Sequence, residues 1–256
     1  MISIKSRREI ELMRATSKLA SQTLEFIGEY VVPGVSTEKL DKLCHDYIMD
    51  HGAYPAPLNY HGFPKSICTS KNEVICHGIP SKKDIIKDGD ILNIDVTTKL
   101  NGFHGDTNKT FFVGEVKPEI QKLVNVTYEC MWEGIKQVKP GNRIGDIGGA
   151  ISKLAASHSY GVVEEYCGHG IGREFHEEPQ VVHSAEAGTG AVMKKGMTFT
   201  IEPMINLGSR HCLLLDDDWT VITKDRKWSA QFEHTILVTE NGFEVLTLRS
   251  EEQVKK

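Results

Sequence analysis

A chain of 256 residues with 39% hydrophobic and 25% charged side chains is long enough to bury a substantial core, as an ordinary globular protein does. The net charge of −5 argues against a protein that coats nucleic acid, and no apolar run approaches the ~20 residues that span a bilayer. The six cysteines are scattered without a C-x-x-C pair, and the charged N-terminus has no signal-peptide core. These properties favour a cytoplasmic enzyme with free thiols, no membrane contact and no direct nucleic-acid site.

Two helices and two strands are predicted in the first half of the chain. Apolar residues at three- and four-residue steps over 10–27 indicate an amphipathic helix. Pro33-Gly34 ends this segment, Ser36 or Thr37 can cap the next one, and residues 40–48 form a second apolar stripe. The runs DILNIDVTT and KTFFVG then have the β-branched composition of strands.

The same order of elements returns in the second half. Residues 120–138 predict a helix, VKPG a break, and residues 144–154 another helix, before the strand-like runs MTFTIEPMI and HTILVT. KDGDILNIDV aligns without a gap with KKGMTFTIEP. Four landmarks recur at one offset of 107 residues: Pro33-Gly34 and Pro140-Gly141, His51 and His158, Gly89 and Gly196, Asp95 and Glu202. Chance recurrence of short turns explains this less well than duplication does.

The repeat predicts an α+β fold. Two similar halves, roughly 31–113 and 138–240, would form one domain over residues 1–256. Their antiparallel strands should join in one curved sheet whose outside is covered by helices. A site between the halves would be lined by equivalent acids from both.

The acids of the repeat suggest a metal site. A carboxylate on an apolar strand is costly to bury unless it is paired or binds a metal, although one such acid alone would more often face solvent. Five potential ligands are present: Asp95, Asp106, His169, Glu202 and Glu233. Four carboxylates and one imidazole suit two ions ~3.5–4 Å apart, because bridging carboxylates offset the repulsion between the cations. The oxygen-rich set favours Mn, Fe, Co or Zn.

Five motifs together resemble the type I methionine aminopeptidase family in its bacterial form. They are NEVICHGIP, NIDVTTKLNGFHGDTNKTF, YCGHGIGREFHEEP, MTFTIEPM and SAQFEHTI, within a similarity that runs over about residues 4–248. The resemblance implies a metallopeptidase of the "pita-bread" fold with pseudo-two-fold symmetry. It also implies removal of the initiator methionine from nascent proteins when the second residue is small. A ribosome contact and a monomeric state are further expectations.

The resemblance implies a role for each metal ligand. Asp95 would chelate one divalent ion, His169 and Glu202 would bind the other, and Asp106 and Glu233 would bridge the pair. Hydrolysis would use a hydroxide activated between the two ions. Glu202 would act as the general base and pass a proton to the leaving amine.

Two histidines would be catalytic without binding metal. His176, in FHEEP, would stabilise the tetrahedral oxyanion. His77, in CHG, would hydrogen-bond the scissile amide nitrogen. In this interpretation the GHGIG segment is a tight loop that supplies His169, and its glycines let the backbone bend.

A methionine pocket is also implied by the resemblance. Each aromatic residue taken singly would more often be a core residue, but aromatic and sulfur groups together suit a thioether side chain. With His77 and His176, the substrate-binding residues would be Tyr60, His61, Phe63, Cys68, Phe175 and Trp219. Phe63 replaces the usual tyrosine of the family and Asp218 replaces a glycine. A monovalent cation, Na or K, is expected at Asn72, Val74 and Ser229.

Two other functions remain open from the sequence. One is an Xaa-Pro aminopeptidase or prolidase-like hydrolase of the same fold. The other is a non-catalytic peptide-binding member, which the presence of all five ligands and both histidines disfavours.

Overall fold

The computed structural model describes residues 1–254. The helices of this part are α1 (Arg7–Gly28), α2 (Thr37–Asp50), α3 (Pro118–Ile135) and α4 (Ile144–Ser157). The strands of the first half are β1 (Tyr54–Pro55), β2 (Cys68–Lys71), β3 (Val74–Cys76), β4 (Ile91–Leu100) and β5 (Phe103–Phe112). Those of the second half are β6 (Gly161–Val162), β7 (Gly168–Gly170), β8 (Glu177–Val181), β9 (Thr198–Ile201), β10 (Met204–Asn206), β11 (Cys212–Leu214), β12 (Val221–Thr223), β13 (Ser229–Gln231), β14 (His234–Val238) and β15 (Phe243–Val245).

Among residues 1–254 the strands pair antiparallel, as predicted, and form four hydrogen-bonded sheets. One sheet has the order β1-β4-β2, with β5 also on β4, and another runs β15-β14-β9-β7-β8. Two smaller sheets, β13-β10-β6 and β11-β12-β3, complete the set. The hydrogen bonding between strands is therefore not continuous from one sheet to the next. The predicted strand MTFTIEPMI is two strands, because β9 ends before Glu202-Pro203 and proline cannot donate a ladder hydrogen bond.

Equivalent contacts recur at the predicted offset. Helices α2 and α4 have 14 residues each and start 107 positions apart. Gly34 and Gly141 adopt φ angles of 92° and 94°, which favour glycine. The Gly34 N–H donates to the Ile86 carbonyl at 2.8 Å, and the Gly141 N–H donates to the Met193 carbonyl at 3.1 Å. These matched contacts support the proposal that the two halves are an internal repeat within one domain.

Helices cover the two main sheets from outside and bury an apolar core in each half. In one core α1 packs on β4 and β5 while α2 packs on α1 and β1, and the buried residues include Leu24, Leu40 and Ile94. In the other α3 packs on β9, β10 and β13 while α4 packs on α3, β6 and β8, and the buried residues include Met131, Ile151 and Phe199. Within residues 1–254 no helix combines the length and the apolar character needed to cross a bilayer.

Candidate metal centre and substrate cleft

The predicted metal ligands come from strands of both main sheets. Asp95 and Asp106 lie on the adjacent strands β4 and β5. His169 is on β7, Glu202 directly follows β9, and Glu233 directly precedes β14. All five line one cleft of about 580 Å³. The sheet topology thus gathers residues that are far apart in the chain.

The ligand atoms lie close enough to share metal ions. Ligand atoms of Asp106, His169 and Glu233 are all within 4.8 Å of one another. His169 Nε2 is 3.6 Å from Asp106 Oδ2 and 3.7 Å from Glu202 Oε1. Asp95 Oδ1 is buried and has no hydrogen-bond partner among the described residues. An unpartnered buried carboxylate oxygen is the kind of atom that a cation would satisfy.

The electrostatics of the cluster favour a bound cation. Burial, together with the neighbouring carboxylates Asp106 and Glu202, raises the pKa of Asp95 and of Glu233 well above the usual range. Burial likewise raises the pKa of Glu202 to about 7, although His169 opposes the shift. The pKa of His169 is raised too, since contacts with Asp106 and Glu202 outweigh its burial. Divalent cations would relieve this repulsion, so the residues present fit a metal cofactor.

Hydrogen bonds that the sequence analysis did not identify orient two of these carboxylates. Thr97 Oγ1 donates to Asp106 Oδ1 at 2.7 Å. Asn108 Nδ2 donates to Glu233 Oε2 at 2.9 Å. Each contact leaves the second carboxylate oxygen of the acid available for a metal. Such outer partners hold metal ligands in one orientation.

Glu202 is held from three sides. Thr200 Oγ1 donates to its Oε1 at 2.7 Å, and Gln231 Nε2 donates to its Oε2 at 3.2 Å. The Glu202 N–H donates to Nε2 of buried His183 at 3.1 Å. Four of the five residues that hydrogen-bond these carboxylates or the Glu202 backbone could have been found from the sequence. Each lies two positions from a predicted metal ligand, and residues two apart on a strand point to the same face of the sheet. These are Thr97, Asn108, Thr200 and Gln231.

The GHGIG segment differs from its predicted form. Gly168, His169 and Gly170 form strand β7, not a tight loop, and neither glycine has a positive φ. A Cβ at Gly168 would lie 2.5 Å from the Thr200 carbonyl oxygen, and one at Gly170 would lie 2.1 Å from the Glu178 carbonyl oxygen. The prediction of a loop was wrong: the segment is a strand whose pairing shifts register between His169 and Gly170, and its glycines allow neighbouring backbone to pack closely. His169 Nδ1 is 3.0 Å from the Gly170 carbonyl, which leaves Nε2 facing the acids.

The predicted pocket residues surround the same cleft. Trp219 packs edge-on against Phe63, with ring centroids 5.1 Å apart, and lies 6.1 Å from the His77 ring. Cys68 on β2 pairs directly with Asp95 on β4, so the pocket adjoins the acids. Cleft residues that the sequence analysis missed include Cys76, Tyr166 and Met204.

His61 is placed differently from the other predicted pocket residues. It is exposed and does not line the cleft, whereas Tyr60 does. Its ring packs edge-on against Tyr60 at 4.4 Å. His61 therefore lies at the rim of the pocket and not inside it.

Asp218 adopts the conformation that a glycine would supply. Its φ is 62°, in the left-handed region. The neighbouring Asp217 accepts hydrogen bonds from the backbone N–H groups of Trp219 and Thr220, at 3.0 and 2.7 Å. The turn that presents the indole therefore forms without the glycine.

The two histidines that are predicted not to bind metal both line the cleft, and the pKa of each is lowered. The His176 ring centroid is 4.2 Å from that of His169. His176 is exposed to the cleft, yet loss of surrounding water, with the neighbouring His169, lowers its pKa to about 3. Burial lowers the pKa of His77, whose φ of 57° is uncommon for a non-glycine residue.

The residues expected to bind a monovalent cation lie together. The Ser229 N–H donates to the Asn72 carbonyl oxygen at 2.9 Å. Val74 begins β3, two positions after Asn72. A cation here stays a prediction.

Comparison with known proteins identifies the class of this protein. Residues 11–240 match the family model of metallopeptidase family M24. The methionine aminopeptidase of Escherichia coli (strain K12) is 54% identical over 256 residues, which cover 99% of this chain and 96% of that protein. The crystal structure of methionine aminopeptidase from Rickettsia prowazekii has a TM-score of 0.95 at 53% identity, and covers 97% of this chain and 100% of that chain. The chain belongs to metallopeptidase family M24, and it is a metal-dependent hydrolase.

Within this family the chain groups with the methionine aminopeptidases. The predicted family and the pita-bread fold are both confirmed. Family membership implies a divalent metal cofactor. The prolidase from Pyrococcus horikoshii shares the fold alone, with a TM-score of 0.75 at 24% identity over 64% of that chain.

Proposed function

We propose that this protein is a methionine aminopeptidase that removes the N-terminal methionine of nascent polypeptides when the next residue is small. The observation that carries this proposal is a cluster of four carboxylates and His169 beside an aromatic and sulfur-lined pocket in one cleft. Acids and an imidazole can hold divalent cations, and the adjoining pocket suits a thioether. The requirement for a small second residue comes from the family resemblance.

Two divalent ions would be held by the five ligands. Asp95 would bind one ion, His169 and Glu202 the other, and Asp106 and Glu233 would lie between them. The pairwise distances of 3.6–3.7 Å from His169 to two acids support this division. Co, Mn, Fe and Zn all suit the donor set. When bound, such ions supply Lewis acidity that polarises a scissile carbonyl and acidifies water.

The residues of this chain would then move protons and stabilise charge. Glu202 would accept a proton from the attacking water and pass it to the leaving amine. Neutral His176 would donate a hydrogen bond to the developing oxyanion. His77 would hydrogen-bond the scissile amide nitrogen. The carboxylate of Asp95, next to the pocket, would lie beside the free α-amine of the substrate.

Peptide turnover after chelation tests the proposal. Chelated protein should be inactive, and stepwise addition of single metals should restore cleavage of Met-Ala peptides far more than of Met-Leu peptides. Xaa-Pro peptides, the substrates of the rival hydrolase, should stay uncut. Cleavage of Xaa-Pro but not Met-Ala peptides would overturn the proposal in favour of the prolidase-like alternative. Metal binding without turnover of any of these peptides would favour a non-catalytic member.

Metal stoichiometry tests the dinuclear part separately. Titration calorimetry on chelated protein should give two equivalents bound per chain, and a single equivalent at full activity would contradict it. The expected monomer can be checked by sedimentation. A ribosome contact and a cytoplasmic location stay predictions.

A further inference from the structure

The hydroxyl of Tyr60 contacts His176. Tyr60 Oη is 2.8 Å from His176 Nδ1. The two rings are held together by Phe175, whose centroid is 4.9 Å from the Tyr60 ring and 4.3 Å from the His176 ring. Tyr60 therefore touches a proposed catalytic histidine, in addition to lining the methionine pocket.

The backbone around Tyr60 leaves its ring little freedom. Asn59 and His61, on either side, have φ angles of 64° and 49°, both left-handed. The Tyr60 N–H donates to the Pro57 carbonyl and the Tyr60 carbonyl accepts from the Phe63 N–H, each at 3.0 Å. Backbone strain of this kind persists where the surrounding contacts over-determine it. The Tyr60 hydroxyl is thus held in one position relative to His176.

The tautomer of His176 decides which group donates in this hydrogen bond. Burial raises the pKa of Tyr60, so the phenol keeps its proton at neutral pH. Within residues 1–254, His176 Nδ1 is the one hydrogen-bond partner of this hydroxyl. A neutral imidazole carries a single N–H, on one nitrogen or the other. If Tyr60 donates to Nδ1, that nitrogen is unprotonated and the N–H must be on Nε2.

We propose that Tyr60 is a positioning residue that holds His176 in the Nε2–H tautomer. This inference rests on the proposed function, in which His176 donates a hydrogen bond to the oxyanion. With Nδ1 occupied by Tyr60, Nε2 is the nitrogen that remains to donate, and the opposite tautomer would present a bare acceptor to a negative charge. The loop that lines the methionine pocket thereby also determines which nitrogen of His176 is the hydrogen-bond donor.

The tautomer can be read by ¹⁵N NMR of histidine-labelled protein loaded with a diamagnetic divalent ion. His176 is assigned by the signals that disappear in His176→Ala. In the wild type, Nδ1 should resonate as an unprotonated nitrogen and Nε2 as a protonated one. In Tyr60→Phe, both should move towards the average of two tautomers. A proton on Nδ1 in the wild type, or an identical spectrum in Tyr60→Phe, would overturn the inference.

Steady-state kinetics distinguish a positioning role of Tyr60 from a role only as a wall of the methionine pocket. Tyr60→Phe keeps the ring and should lower kcat about 3- to 10-fold, the factor expected for one neutral hydrogen bond, with little change in KM for Met-Ala peptides. In a protein that already carries His176→Ala, Tyr60→Phe should cause no further loss of kcat. A rise in KM with kcat unchanged would make Tyr60 a pocket wall only.

A matched control is available on the preceding strand. Tyr54 is exposed, and its hydroxyl donates to the Leu58 carbonyl at 3.1 Å, at the start of the same loop. Tyr54→Phe should leave kcat and the His176 spectrum unchanged, and equal losses in both variants would mean that loosening of the loop is the cause. The NMR result does not depend on peptide turnover, so failure of the proposed function and failure of this inference are distinguishable.

Discussion

Replacing Trp219 with alanine tests the pocket most directly. The indole is half-buried, packs edge-on on Phe63 at 5.1 Å and lies 6.1 Å from His77. An aromatic side chain of this size buries roughly 150–250 Å² of surface, and about half of that area would be lost from the pocket wall with the half-buried indole. At ~25 cal/mol/Å² this corresponds to about 2–3 kcal/mol, which agrees with the ~1–3 kcal/mol typical of one wall of a specificity pocket. Trp219→Ala should therefore lower kcat/KM for methionyl peptides by roughly 30- to 160-fold.

The loss should fall mainly on methionine recognition. Steady-state kinetics on Met-Ala-Ser and Leu-Ala-Ser peptides would show a raised KM for the first and a smaller loss on the second, so discrimination between them narrows. Metal content should stay normal, because Trp219 is not among the grouped ligands. Unchanged discrimination in Trp219→Ala would place the indole outside the methionine pocket and refute the reasoning.

Asp218→Gly is the matched comparison on the same turn. Asp218 already has the left-handed φ of 62°, and the N–H contacts of Trp219 and Thr220 with Asp217 do not use its side chain. Glycine should thus leave the indole in place, with kinetics within about two-fold of the wild type and stability changed by no more than ~1 kcal/mol. A large gain in kcat/KM would instead mean that the natural turn holds Trp219 poorly.

Three further predictions concern the metal cluster, the oxyanion and the C-terminal ion pair. Asp106→Asn should abolish turnover and lower metal occupancy, measured by elemental analysis, and full activity with two ions bound would contradict the dinuclear assignment. His176→Ala should lower kcat roughly 10²–10³-fold at near-normal metal content, whereas lost metal would make His176 a ligand. Burial alone would raise the pKa of Glu252, but contacts with His234 and Arg249 hold it below its usual range. Because the folded pKa is below the unfolded value of ~4.3, this stabilisation is present above that pH and is lost as pH falls below it. Glu252→Gln should flatten the acid side of a plot of Tm against pH, and an unchanged slope would exclude the contribution.

Much of the fold could be predicted from local patterns. The apolar stripe at residues 40–48 predicted α2, which spans Thr37–Asp50, and Ser36 caps it by accepting the Lys39 N–H at 3.3 Å. Strand bounds were less accurate, since β5 begins at Phe103, well before the predicted run KTFFVG. The alternation of polar residues such as His104 and Asp106 with glycine in this segment hides the strand, because both of its faces are buried.

The sequence by itself predicted which residues would carry the chemistry. An acid on an otherwise apolar strand of each half, Asp95 and Glu202 at the common offset, indicates a buried site because burial of an unpaired carboxylate is too costly to be accidental. Motif resemblance then predicted which histidine is a ligand and which are not, and the structure places three of the predicted ligands, Asp106, His169 and Glu233, close together.

Only the tertiary structure decided how those residues are held. Tyr60 and His176 meet although they are 116 positions apart, and buried Arg249 donates to Thr107 Oγ1 across 142 positions. Periodicity reports which face of an element is buried, but not which distant segment packs against it or in what register. That packing decides which groups come within hydrogen-bond distance of each other. For this reason the tautomer of His176 can be inferred from the folded chain and not from its motif.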